Sequence, residues 1–290
     1  MFCTKINLHG ENSKKNYTFV KMFQMKSIVT IYFLLTALLS GQLSAQSNKS
    51  FMEVSYRMKF FPDSLNLERS ITVDNLILLF NDNSSVYFSK EARDYFTQLK
   101  NGVSSSKNGN ISLGVLPSLP KSRGSVYKSG EVITATLPVG RYFYSFEEPK
   151  LLWALLDEKT KINGIDCRLA KTLTDTGDTF FAWYTMEYPY SEGPFRFKGL
   201  PGLIIKVYNK NNTISIEATN LKETAESIEP FFNDGSIELK TKSIFLKQRK
   251  DYNDNPNIQN MNSNVTFRKD GVLLDNATSM KKIENNVFLD

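Results

Sequence analysis

Short runs in which apolar and polar residues alternate, each closed by a turn signal, recur along most of this chain and commit it to β-sheet. Residues 54–60 set Val54, Tyr56, Met58 and Phe60 against Ser55, Arg57 and Lys59. That period of two puts one face of a strand on a core and the other in water. Residues 76–80 and 86–88 flank Asn81-Asp82-Asn83-Ser84, which predicts a hairpin. The stretch 126–137 is broken at Ser129-Gly130, and 141–146 is aromatic and β-prone. Asn163-Gly164, a dipeptide favoured in tight hairpin turns, joins Lys161-Ile162 to 165–169. Residues 174–178 link that strand to a run over 179–186, and 213–218 alternates again. Helix is scarce. Ser89 followed by Glu91, Ala92, Tyr95, Phe96 and Leu99 predicts a short one over 89–99. Residues 241–252 suggest a second, and 149–156 reads as a helical turn or a strand.

The N-terminus reads as a secretory leader. Met25-Lys26 precedes an apolar run over 28–39, then Ser40, Gly41, Gln42 and Leu43-Ser44-Ala45. A charged start, about 12 apolar residues and a small-residue site suit a signal peptidase, whereas a membrane anchor needs roughly 20. Cleavage is expected after Ala45, leaving Gln46 first and no transmembrane anchor. The 24 residues before Met25 carry Lys5, Lys14, Lys15 and Lys21. They fit either a start codon placed too early or a long basic leader. The expected organisation is therefore a leader over 1–45, one β-rich domain over 46–250 and a polar tail over 251–290. The tail is rich in asparagine, with strand potential at 265–267 and 272–274. Residues 101–124, rich in Ser, Asn, Gly and Pro, read as a long loop.

The leader also distorts the charge. The whole chain has 36 basic and 30 acidic residues. The leader removes five lysines and one glutamate, leaving 31 against 29. Such a near-neutral, interspersed surface gives no reason to expect nucleic acid as a partner. The single histidine is His9, so the exported chain has none. It loses histidine acid–base catalysis, Ser–His and Cys–His pairs, and histidine metal ligation. Cys167 is left alone, so no intramolecular disulfide forms. Between Ile165 and Leu169 it reads as a buried, inert thiol. Stability must come from a core, which about 245 residues supply readily.

Gly199-Leu200-Pro201-Gly202-Leu203-Ile204 is the most distinctive hexapeptide. Pro201-Gly202 fits a type II turn, with positive φ expected at Gly202. A strand follows over 203–208, with Leu203, Ile205 and Val207 on one face and Ile204, Lys206 and Tyr208 on the other. Before the turn, Phe195 and Phe197 alternate with Arg196 and Lys198. A ligand approaching the backbone at Gly199 and Gly202 is the competing reading. Together with Trp153, the run 162–170, Trp183-Tyr184-Thr185, Pro189 and Gly193-Pro194, the hexapeptide resembles the GLPGLI family of Bacteroidetes-type bacteria. The resemblance covers residues 153–208. It departs at Asp178, where members usually have a basic residue, and at Ile165, where they have Tyr. It implies a periplasmic or secreted β protein of unestablished activity. Its curved antiparallel sheet is similar, by analogy, to lipoprotein-carrier half-barrels.

No catalytic motif survives inspection. Asp175-Thr176-Gly177 spells the aspartic-protease triplet once, where that chemistry needs a pair. Ser118-Leu119-Pro120-Lys121 and Ser104-Ser105-Ser106-Lys107 match Ser-x-x-Lys without the accompanying motifs. Asp251-Tyr252-Asn253-Asp254-Asn255 lacks the Gly and Glu of a calcium loop and reads as a solvated turn. The expected function is thus binding without catalysis, cofactor or metal. The first reading is a carrier holding an apolar small molecule on its curved sheet, lined by Trp153, Trp183, Tyr184, Tyr142 and Tyr144. The second is an interaction module for an envelope protein. The third is a hydrolase built on carboxylates alone. A closed dry cavity would favour the first, an exposed apolar patch the second, and facing carboxylates in a cleft the third.

Overall fold

The computed structural model describes residues 50–61, 71–104, 119–140, 142–231, 235–255, 268–269 and 272–273. The leader, Arg141, most of the 101–124 loop and most of the tail lie outside these residues. The strands are β1 (Met52–Phe60), β2 (Thr72–Phe80), β3 (Ser84–Ser89), β4 (Ser125–Ser129), β5 (Val132–Val139) and β6 (Tyr142–Glu147). They continue with β7 (Trp153–Ile162), β8 (Ile165–Leu173), β9 (Thr179–Thr185), β10 (Leu203–Asn209), β11 (Ile214–Glu223) and β12 (Ile237–Glu238). All twelve form one open sheet in the order β12-β6-β5-β4-β3-β2-β1-β11-β10-β9-β8-β7. A separate pair, β13 (Arg268–Lys269) and β14 (Val272–Leu273), lies in the tail. Helix α1 (Lys90–Ser104) follows β3, and α2 (Lys242–Asp254) follows β12. The mainly β expectation holds, with both helices close to where the sequence places them.

The order describes two meanders, β1 to β6 and β7 to β11, joined where β1 pairs antiparallel with β11. It also fixes the curvature. β6 ends at Glu147 and β7 starts at Trp153, yet ten strand spacings separate them in the sheet. In a flat sheet that distance is about 48 Å. The connection spans at most about 21 Å. The sheet must therefore curl until its two ends approach each other.

Local chemistry sets the hairpins. Asn163 and Gly164 take φ of 51° and 84°, the positive values that a tight hairpin turn of matching twist demands. Gly130 (φ 57°) turns β4 into β5 where the 126–137 run breaks. Asn81 Oδ1 accepts from the Asn83 and Ser84 amides at 3.0 and 2.8 Å, closing the β2–β3 turn. Ser89 Oγ accepts from the Ala92 amide at 3.4 Å, as a helix cap. The 149–156 ambiguity resolves into strand from Trp153 onward. Residues 251–254, expected as a solvated turn, are the last turn of α2, and Tyr252 is buried.

Val54, Tyr56, Leu78, Phe146, Phe180 and Ile216 line the inside of the curl, nearly or wholly excluded from solvent. What fills it is the long excursion between β9 and β10, residues 186–202. Phe195, Phe197 and Leu200 of this excursion belong to the same buried cluster. Helix α2 covers the β6 end, with Phe245 stacked on Phe146 at 4.6 Å.

Candidate functional site

The excursion is where the sequence's expectations needed most correction. The alternation of Phe195, Arg196, Phe197 and Lys198 is not a strand. Phe195 takes φ of 52°, the chain turns, and all four side chains are buried. Nor does Gly202 take positive φ. Gly199 does, at 94°. Gly202 is required for room: a Cβ there would sit 2.0 Å from the Thr185 carbonyl oxygen. Gly193 is similarly confined, 2.3 Å from the Phe197 carbonyl oxygen. These glycines let the excursion press against β9 and itself, which leaves no backbone space for a ligand at Gly202. The expected faces of β10 also shift. A bulge between Ile204 and Lys206 allows Leu203, Ile204 and Ile205 all to enter the core.

Two buried charge clusters fasten the excursion. Arg196 Nη1 lies 3.0 Å from Glu148 Oε2, and its Nη2 lies 2.5 Å from Asp175 Oδ1. Lys242 Nζ reaches the same two carboxylates at 3.0 and 3.1 Å. Glu148 lies in the β6–β7 connection, Asp175 in the β8–β9 turn and Lys242 in the first turn of α2. One cluster thus ties both ends of the sheet, the excursion and a helix together. Burial pushes the Glu148 carboxyl up, and the nearby Arg196 and Lys242 charges only partly offset that. Burial also raises Asp175, but there the hydrogen bond and charge of Arg196, with Lys242, win and hold it below its ordinary value. The second cluster sets Glu192 against Lys198 at 2.6 Å and against Lys128 of β4 at 2.7 Å. Lys198 Nζ also donates to the Gly193 carbonyl at 3.1 Å. Tyr56 Oη donates to the Ile204 carbonyl at 2.7 Å, and Trp153 Nε1 donates to that of Lys198 at 2.9 Å.

Sequence reasoning misses these groups because an interspersed lysine or glutamate reads as solvated. The available signal was a cation alternating with Phe inside the least polar, most glycine-constrained motif. The Asp175-Thr176-Gly177 triplet is a turn, as expected, with Gly177 at φ 93°. Its Asp175 is an ion-pair member.

The five expected ligand residues do not form one site. Trp153 is half-buried and spent on the excursion. Tyr184 and Tyr144 are buried in the core. Tyr142 is 41% exposed on β6. Trp183, next to Tyr184 on a strand, is directed to the other face of the sheet. Cys167 is buried, and burial pushes its thiol up to about 11. Among the described residues no cluster of ligating side chains could hold a metal.

Open depressions mark the surface of the described residues. One, about 540 Å³, lies between β5, β6 and β12 and includes Ser145, Ser236 and Glu238. Another, about 480 Å³, lies at the tip of the β7–β8 hairpin and includes Lys159, Arg168 and Met186. The same hairpin carries Leu152, Leu173 and Leu155, exposed by 87, 65 and 57%. Trp153 pairs with Thr172, so Leu152 and Leu173 fall next in register, on the outer face.

Residues 157–206 match a family model described as a protein of unknown function (Porph_ging). The match covers the hairpin tip, β8, β9 and the excursion. No curated protein sequence matches the chain. PNGF-II, solved in two crystal forms, aligns at 16% identity and TM-score 0.45 in each. The alignments cover 68 and 70% of this chain and 32% of that one, so the chain spans about a third of its length. An uncharacterized conserved protein from Thermus thermophilus aligns at 6% identity and TM-score 0.32, over 67% of this chain and 93% of that one. The chain therefore shares a segment of about fifty residues with a family whose function is unknown.

Proposed function

We propose that this protein is an interaction module of the GLPGLI type, exported to the cell envelope, that takes a partner protein at the β7–β8 end of its sheet. The observation that carries the reading is the pair Leu152 and Leu173, the most exposed strand-flanking leucines, adjacent on the outer face of one hairpin. Clustered exposed apolar residues favour association. An apolar-ligand carrier would need the space inside the curl that Phe195, Phe197 and Leu200 occupy. A carboxylate hydrolase would need substrate to reach Glu148, which is fully buried beside Asp175.

Photo-crosslinking tests the reading. A photoreactive residue at position 152 or 173 of the exported protein is expected to capture one reproducible envelope protein. The double change Leu152→Asp and Leu173→Asp should abolish capture from a probe at 155 without altering the denaturation midpoint. Absence of any adduct, with a small molecule retained in native mass spectrometry, would support the carrier instead.

A further inference from the structure

The hairpin with the exposed leucines also carries a charge arrangement that no packing contact uses. Among the described strands β7 pairs only with β8, so its outer edge offers unpaired backbone N–H and C=O groups over ten residues. Such an edge accepts another strand unless something blocks it. Blocking charges stand in the middle: Asp157 and Glu158 fall in the bulge between the Leu155–Ala170 and Lys159–Arg168 pairs. Toward Trp153 the edge is apolar, with Leu152 and Leu155. Toward the turn it is cationic. Lys159 stands directly opposite Arg168, a like-charge cross-strand pair that is unfavourable on its own. Neither has an acidic partner among the described residues. The neighbouring groups are already used: Lys161 pairs with Asp166 at 2.9 Å, and Glu187 accepts the Asp166 amide at 3.0 Å.

A second copy of the chain does not fit the charged part of this edge. Two-fold antiparallel pairing keeps each residue on its own face, so the axis must pass through a residue. Centring it on Glu158 opposes Glu158 to itself. Centring it on Lys159 opposes Lys159 to itself, and centring it on Thr160 opposes Lys159 to Lys161.

Resting on the interaction-module reading, we propose that the free edge of β7 takes an extended acidic–apolar segment of a partner protein as an added strand. Apolar residues of that segment pack against Leu155, and its carboxylates, on the same face, meet Lys159 and Arg168 over the 480 Å³ depression. Backbone hydrogen bonds hold the strand, and the apolar-to-cationic order along β7 fixes its register.

Fluorescein-labelled ten-residue peptides test this, with alternating valines in one half, glutamates in the other, and both orientations made. Titration with the full exported chain, read by fluorescence anisotropy, should show saturable binding for one orientation. Lys159→Glu with Arg168→Glu should weaken it about two- to thirtyfold, as loss of two exposed ion pairs implies. Replacing the glutamates by lysines should have a similar effect. N-methylation of alternate peptide amides, which removes donors and leaves side chains, should abolish binding. Equal binding by the methylated peptide would overturn strand addition, and equal binding by the lysine peptide would overturn the charge assignment. If neither orientation binds while crosslinks from positions 152 and 173 persist, the added strand is refuted and the module reading stands.

Discussion

Replacing Gly202 by alanine adds one methyl group where the Thr185 carbonyl oxygen is 2.0 Å and its carbon 2.8 Å away. Ordinary contact begins near 3.4 Å, so the excursion and the end of β9 must separate by about 1.4 Å, the difference between 3.4 and 2.0 Å. Both colliding groups are backbone, so no rotamer change relieves the overlap. Overpacking a tight site costs typically about 1–3 kcal/mol and sometimes more. The rigid neighbour places Gly202→Ala at the upper end, about 3 kcal/mol. For a domain of this size that is about 6–12 °C in Tm. Gly199→Ala is the control. It takes φ of 94° with nothing within 4 Å of the added Cβ, so only conformational strain applies, about 1–2 kcal/mol. Urea melts followed by the fluorescence of Trp153 and Trp183 rank the two. Gly202→Ala less destabilising than Gly199→Ala would show that close approach is not what Gly202 provides.

Arg196→Met should cost about 3–5 kcal/mol by denaturant melt, because buried Glu148 loses a partner, and adding Glu148→Gln should restore part of the loss. Acid should destabilise the protein below about pH 4: Asp175 and Glu192 are held below their ordinary values of 3.8 and 4.5, so the stability they confer is complete above those values and lost as pH falls through the lowered ones. Glu148 acts in the opposite sense, since its raised value favours the folded state in acid and loses that contribution as pH rises through it. Stability measured from pH 2 to 7 should therefore show a shallower acid limb in Asp175→Asn. Cys167 should resist a thiol reagent in the folded protein at neutral pH and react on unfolding, and fast labelling of native protein would contradict its burial.

The parts of the fold legible in the sequence are those fixed by neighbouring residues. Asn163-Gly164, Ser129-Gly130 and Ser89 each specify a local geometry, and each appears where it was read. The pairing of β1 with β11 and the jump from β6 to β7 depend on contacts distant in sequence, which period-two alternation does not encode. Arg196 and Lys198 were opaque for a related reason. A charge reads as solvated until its partner is known: Glu148 lies 48 positions from Arg196, and Lys198 is near Glu192 in sequence but Lys128, which completes that cluster, lies 64 from Glu192. The five aromatic residues expected to line a site do lie on strands. Alternation could not say that the inside of the curl would be filled by the chain itself, which is why five expected lining residues scatter across the sheet.

Hydrogen exchange tests the central claim, that residues 186–202 fill the core and are not a mobile surface loop. The Gly199 amide donates to Ser191, Leu203 to Tyr188 and Ile204 to Glu192, at 3.2, 2.9 and 2.9 Å. If the two charge clusters lock this segment into the curl, these amides exchange only by global unfolding, as slowly as those at the centre of the β1–β11 pair. Exchange at loop-like rates, with β1 and β11 still protected, would contradict the account.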